Sequence, residues 1–521
     1  MDVRVKLLIL LATSLLIYSL IVLLKVLYDY WWVPLRIQHF LNSQGLRGPP
    51  YKFIHGCSKQ INKMRSEALI KPMGLTHDIF PRVFPHYYSW INLYGKSYLS
   101  WDGAQAQVVT TDPELIKEVL KNSEQTFRKR EPPIYVGRLL GDGLVTTEGE
   151  KWAMKRKLAN YVFHGESLKF RQNMTPAVIA SVETMLDKWQ DKGEEIEAFQ
   201  EFRMLTSEVI SRTAFGSSYL EGEKIFYRLQ KLADIVSRNS NQSRIPILSK
   251  YWKTDDDIES EKLASEIQDL VIEIVNKREN KVASGGAESF GSDFLGLLVK
   301  AFNNPDEKNK ISMEDLVDEC KTFYFAGQET VNASLAWAVL VLAIHRDWQD
   351  KARREVMEIF GSQNPHSEGL AKLKIMSMII NETLRLYTPL NGMVRRARRQ
   401  VQVGKLVLLA KVDVLIPNMA LHHDPQLWGD DAHVFKPERF EEGIAKATKY
   451  NAAAFIPFGM GPRACVGMTF AINETKTALS MILQRYTISL SPAYVHSPTP
   501  RITVQPQHGI QVILNSLSND T

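Results

Sequence analysis

Phe458-Gly459-Met460-Gly461-Pro462-Arg463-Ala464-Cys465-Val466-Gly467 is the stretch around which this 521-residue chain is organised. The apolar periodicity from Met468 to Leu483 predicts a helix, so Cys465 stands at a helix mouth. Unpaired amides and the positive end of the helix dipole favour a thiolate there, and a thiolate is the form that ligates a metal. The glycines at 459, 461 and 467 let the backbone approach something flat and bulky. No second Cys or His stands nearby at zinc spacing, which argues against a structural zinc site and leaves haem iron as the better candidate. A lone cysteine is more commonly buried and inert, so the other segments must decide.

Phe458, Gly461, Arg463, Cys465 and Gly467 match the pattern F-x-x-G-x-R-x-C-x-G, and through it the chain resembles the cytochrome P450 family. The resemblance implies a mainly α fold with small β-sheets, a long central helix over haem b (iron protoporphyrin IX), and Cys465 as the iron ligand. Three further matches follow in the same order along the chain. Trp152 and Arg156, at i and i+4 on a predicted helix, resemble W-x-x-x-R, where the arginine binds a haem propionate through its forked donors. Ala326-Gly327-Gln328-Glu329-Thr330 resembles A-G-x-[DE]-T. The two small residues are expected to clear room over the cofactor, and Thr330 and Glu329 to deliver protons on the face opposite the cysteine. Glu382 and Arg385 resemble E-x-x-R, and Pro437-Glu438-Arg439-Phe440 the P-E-R-F segment, so Glu382, Arg385 and Arg439 are expected to form one buried network. Alignment places Arg395 on a propionate and Leu390, Met393 and Val394 on the substrate side. The chain departs from the usual pattern at Val331, where Thr or Ser is common, and at Thr388, where a proline is common.

Composition is consistent with this. Hydrophobic residues make up 45% and charged residues 23% of the chain, ordinary for a globular protein with a large core. Length alone suggests roughly three domains, although large single domains exist. The three widely spaced cysteines, Cys57, Cys320 and Cys465, do not form a disulfide framework and fit a reducing compartment. A net charge of +6 is too mild to suggest nucleic acid and suits an acidic protein partner or an anionic membrane surface.

Leu7 to Leu24 is an uncharged, mostly apolar run flanked by Arg4, Lys6 and Lys25, with Tyr28, Tyr30, Trp31 and Trp32 following. It predicts an uncleaved transmembrane anchor with an aromatic belt. Residues 1–34 are read as the anchor, 35–50 as a hinge opened by Pro34 and closed by Gly48-Pro49-Pro50, and 51–521 as the haem domain. Family resemblance places such an anchor in the endoplasmic reticulum membrane with the body in the cytosol.

Along the body, Tyr98 to Trp101 and Ala106 to Thr110 predict a hairpin, and Asp112-Pro113 opens a helix toward Lys121. Residues 130–147 are expected to be a loop covering a pocket. Long amphipathic helices fill 167–277, with a polar break at Ser237–Ser243. Ser312 is the expected N-cap, with Asp315 in the box position, of a helix reaching about His345. Arg396 to Arg399 are expected to be a solvated face, and Arg501–Val504 with Gly509–Leu514 a C-terminal hairpin.

The function implied by the resemblance is a haem-thiolate monooxygenase of plant membrane type, resembling the clan that contains secologanin synthase and hormone-inactivating hydroxylases. It would hydroxylate a small apolar substrate (terpenoid, hormone or fatty-acid type) with O2. No flavin or dinucleotide fingerprint is present, so electrons would come from a separate NADPH–cytochrome P450 reductase. Two alternatives are a haem-thiolate isomerase or dehydratase of oxidised lipids, which would need neither O2 nor NADPH, and a non-catalytic haem sensor.

Overall fold

The computed structural model describes residues 3–122, 125–163, 174–192, 194–217, 219–240, 252–307 and 309–517. The expected break at Ser237–Ser243 lies partly outside the described residues.

The N-terminal helix Val3–Leu27 buries none of its side chains, as an apolar helix made for lipid would not. It does not stop at Pro34. A widened turn at Tyr28–Trp32 carries it into the helix Val33–Asn42, giving 40 helical residues in succession. Proline has no N–H for the carbonyl four residues back, and that carbonyl, Tyr30 O, accepts the Tyr51 hydroxyl instead. The segment expected to act as a hinge is docked on the body. The Gln44 amide bonds both the N–H (2.7 Å) and the carbonyl (3.0 Å) of Val407, and a Cβ on Gly48 would lie 1.8 Å from Leu99 O.

Among the described residues the body is mainly helical with four small sheets. The strands are β1 Ser97–Asp102, β2 Gln105–Thr110, β3 Phe127–Lys129, β4 Glu195–Glu197, β5 Met393–Ala397, β6 Val401–Val403, β7 Leu406–Leu408, β8 Asp413–Ile416, β9 Tyr486–Leu490, β10 Pro498–Pro500, β11 Val504–Pro506 and β12 Gln511–Ser516. The largest sheet has the order β1-β2-β8-β5-β3, with only β2 and β8 parallel. The β1–β2 hairpin and the helix Pro113–Lys121, capped by the Asp112 carboxylate on Glu114 N at 2.9 Å, stand where their local signals put them.

Two expectations fail. Residues 130–147 contain the helix Ile134–Leu140, which buries Tyr135 and Leu139 at i and i+4 between Pro133 and the left-handed Gly141. The C-terminal hairpin pairs differently. β11 returns onto β10, whereas β12 joins β9 and β4 in another sheet. A strand's alternation shows that it pairs, while its partner is a long-range matter.

The central helix Met313–Ile344 begins where Ser312 Oγ accepts Asp315 N–H at 3.0 Å. Nearly all of it is buried, and it packs closely against the helix Ala198–Phe215. This element and the helix Met468–Arg485 carry the two halves of the site.

Candidate functional site

The cysteine loop enters the helix Met468–Arg485 through a 3-10 turn at Gly461–Arg463, and Cys465 N–H donates to Phe458 O at 2.8 Å. The three glycines have different reasons to be there. Gly461 has φ +75°, and a Cβ on it would lie 2.5 Å from Leu120 O, so the end of the helix Pro113–Lys121 requires it. Gly459 has φ +73° and faces Met393 Sδ. Gly467 has an ordinary φ of −93°, and no protein atom stands within 4 Å of where its Cβ would be.

Cys465 presents exposed surface, yet burial by its surroundings pushes the thiol pKa up, against the opposing pull of the Gly467 N–H and Arg156. A bound metal would draw the proton off and hold the thiolate. An open-faced sulfur in a recess, a glycine beside open space and neighbouring guanidinium groups fit haem, with Cys465 on iron and arginines on the propionates.

Two distant segments supply those arginines. On the helix Gly149–Phe163, Arg156 Nη1 donates to Ala464 O at 2.6 Å, in the cysteine loop itself. Arg463 lies over the Trp152 ring, 4.2 Å from its centroid, and donates to Thr147 O at 2.6 Å. Trp152, Arg156, Arg463 and Cys465 are therefore brought together. Arg395 is buried on β5 and donates to Val394 O at 2.9 Å. Arg396 is not part of a solvated face. It pairs with buried Asp413 at 2.7 Å, which Arg130 also approaches, and only Arg398 and Arg399 of that run are exposed.

On the central helix, Thr330 Oγ1 donates to Ala326 O at 2.8 Å, one turn back. Gly327 was expected to clear space over the cofactor, but a Cβ there would lie 2.7 Å from Ile210 Cδ1. Its smallness therefore serves the crossing with the helix Ala198–Phe215. Glu329 is buried and accepts hydrogen bonds from Thr503 Oγ1 at 2.7 Å and from the Gln505 amide. Thr503 and Gln505 were not among the expected site residues, since Arg501–Val504 reads only as a strand. Val331 is buried among apolar neighbours.

Of the expected substrate-side residues, Leu390 forms a bridge to Thr503 and Val394 is half-buried opposite Leu415. Met393 packs elsewhere, against Gly459 and the cluster of Ile116, Leu120 and Ile416.

Glu382 and Arg385 are fully buried and joined by two bonds of 2.8 Å. Arg385 also donates to His422 O and Ala432 O, and Arg439 stands 3.4 Å from Glu382. A second buried network was missed. Lys155, next to Arg156, reaches Asp315 at 3.0 Å and Glu319 at 3.3 Å on the central helix. Burial pushes the Glu319 carboxyl up to about 7 despite Lys155. The i, i+4 spacing of Asp315 and Glu319, repeated by Lys151 and Lys155, was the signal available.

A sequence model of the cytochrome P450 family matches residues 84–514. The chain is 54% identical over 510 residues to Cytochrome P450 CYP749A22 of Panax ginseng, with 97% of each chain covered. It is 41% identical over 503 residues to 11-oxo-beta-amyrin 30-oxidase of Glycyrrhiza uralensis, with 94% of each covered. Identity to Cytochrome P450 734A1 of Arabidopsis thaliana is 38%, over 96% of this chain and 95% of that one. Retinoic acid bound cyanobacterial CYP120A1 superposes with a TM-score of 0.73 at 22% identity, over 85% of this chain and 96% of that one, a likeness of fold.

Proposed function

The chain belongs to the cytochrome P450 family and is one of its monooxygenases, and from that premise we propose that it hydroxylates an apolar terpenoid-class metabolite with electrons from a separate NADPH–cytochrome P450 reductase. The observation that carries the substrate class is 41% identity, over nearly the whole of both chains, to an enzyme named for oxidising 11-oxo-beta-amyrin. Leu390 supplies apolar surface where the chain meets the β10–β11 turn, and Val394 on β5 adds half-buried apolar surface.

Haem, when bound, supplies the activation of dioxygen and the transfer of one oxygen atom to carbon. The chain's residues do the rest. Cys465 holds the iron. Arg156, Arg463 and Arg395 neutralise the propionates, with Trp152 fixing the plane of Arg463. Phe458 and Gly461 shape the loop that presents the sulfur, and Gly467 with Ala326 leaves space for the ring. Thr330 and Glu329 hold protons for the distal side. Thr503 and Gln505 keep the Glu329 carboxylate in one orientation.

The apolar helix Val3–Leu27, with the basic and aromatic residues that flank it, anchors the enzyme in the endoplasmic reticulum membrane with the body in the cytosol. A spectral-shift screen of the purified haem protein against triterpenoids, followed by turnover with NADPH and reductase, tests the assignment. A triterpenoid should shift the haem spectrum and leave as its hydroxylated product. Binding restricted to fatty acids, or turnover that persists without NADPH, would overturn it.

A further inference from the structure

A chain of stacked and hydrogen-bonded rings outside the haem site lies toward the C-terminal end of the central helix. Tyr387, which caps the helix Lys374–Leu386, is fully buried. Its ring stacks on Trp337 of the central helix, with centroids 4.5 Å apart and planes 18° from parallel. The Tyr387 hydroxyl lies 2.8 Å from His77 Nδ1, and His77 Nε2 lies 2.8 Å from His345 Nε2. One set of tautomers satisfies both contacts: Tyr387 O–H donates to His77 Nδ1, and His77 Nε2–H donates to His345 Nε2. His345 is half-buried, so the line runs from a buried phenol toward the surface. Trp337 stands two helical turns beyond Thr330, about 10 Å along the axis.

We propose that Tyr387 is a redox-active tyrosine, giving up one electron by way of Trp337 and, in the same event, its phenolic proton to His77. The Tyr387 O–H bond breaks and an N–H bond forms on His77 Nδ1. The electron passes through the stacked indole to the strong one-electron oxidant that haem-dependent oxygen activation supplies when no substrate is held, and that oxidant is reduced by one electron. The His77 Nε2 proton then moves to His345 Nε2, so the positive charge settles on the half-buried ring. The result is a safe outlet for an oxidising equivalent that would otherwise attack the site.

The surroundings favour coupling of the two transfers. Burial raises the pKa of the Tyr387 phenol, so loss of the proton by itself is unfavourable. Burial, with His345, His496, Arg385 and His423 nearby, holds His77 at about 3, which leaves it neutral and able to accept. The same groups make a lasting His77 cation unfavourable; burial also holds His345 below the ordinary histidine range, but there the Asp347 carboxylate pulls the other way. Phe435, which stacks on His345 at 4.7 Å, completes the wall with no titratable group of its own.

The experiment is freeze-quench electron paramagnetic resonance of the substrate-free, haem-loaded full chain mixed with peracetic acid. Wild type should give a neutral tyrosyl signal that narrows when the protein carries ring-deuterated tyrosine, which identifies the radical without any variant. Tyr387→Phe, which removes only a hydroxyl, should cut the signal more than tenfold. His77→Leu, which keeps the tyrosine and removes the acceptor, should do the same while leaving the reduced carbon-monoxide spectrum unchanged. Absence of a tyrosyl signal in wild type, or a signal undiminished in either variant, would overturn the proposal.

Discussion

The cysteine loop and the Ala326–Thr330 segment, which we propose flank the haem from opposite sides, are built on different principles. On the cysteine side the backbone course is set locally, although Gly461 also meets the distant Leu120 O. Gly459 and Gly461 adopt positive φ, Cys465 closes a 2.8 Å bond onto Phe458, and the helix begins three residues later. On the helix side two of the five residues are tied to distant ones. Gly327 meets Ile210, and Glu329 meets Thr503 and Gln505. A motif of five consecutive residues thus includes positions that serve packing, because a helix turns successive side chains to different faces.

The largest test of this contrast is Cys465→Ala. It should abolish the reduced carbon-monoxide spectrum typical of thiolate haem while circular dichroism shows the fold retained, and persistence of the spectrum would remove the ligand assignment. Thr330→Ala, on the other face, should keep that spectrum and lower product formed per NADPH by roughly tenfold or more, the scale of a lost proton-transfer group. Full coupling in that variant would strip Thr330 of its role.

Glu319 joins the two sides through Lys155, and its pH response is measurable. With its pKa near 7 in the fold against an ordinary 4.5, the folded chain binds a proton that the unfolded chain releases between those values. Its stabilising contribution is therefore present at low pH and lost as pH rises toward about 7. Wild type should lose up to ~3 kcal/mol relative to Glu319→Gln between pH 5 and 8, read from urea unfolding. Parallel pH profiles would show that the carboxyl is not held protonated.

The glycines give the smallest effects and the sharpest contrast. Gly461→Ala combines a left-handed backbone with a clash against Leu120 O and should cost about 2 kcal/mol. Gly327→Ala meets only the mobile end of Ile210 and should cost about 1 kcal/mol, recovered in part by adding Ile210→Val. Equal costs, or no rescue, would break the distinction between a backbone constraint and a side-chain one.

Some features were legible in the sequence because they are short-range. The Ser312 cap, the Asp112 cap and the β1–β2 turn depend on residues within a few positions of one another. The Glu382–Arg385 pair spans one helical turn, so its spacing was readable, although its total burial was decided by the carbonyls of His422 and Ala432. The helix Ile134–Leu140 was hidden because its prolines and glycines read as loop punctuation, yet they stand at its ends. Arg396 read as one more surface charge because nothing near it in sequence announces Asp413.

By itself the sequence singled out Cys465 as the candidate iron ligand, and it determined the order of the helices that carry the site and the apolar N-terminal segment, since each is written in local spacing and periodicity. The tertiary structure alone decided which carboxylates are paired, where Glu329 is held, which glycine yields to a neighbouring helix, and that Tyr387 meets Trp337 and His77. Those contacts join residues tens to hundreds of positions apart, and only the packing of the whole chain places one beside the other.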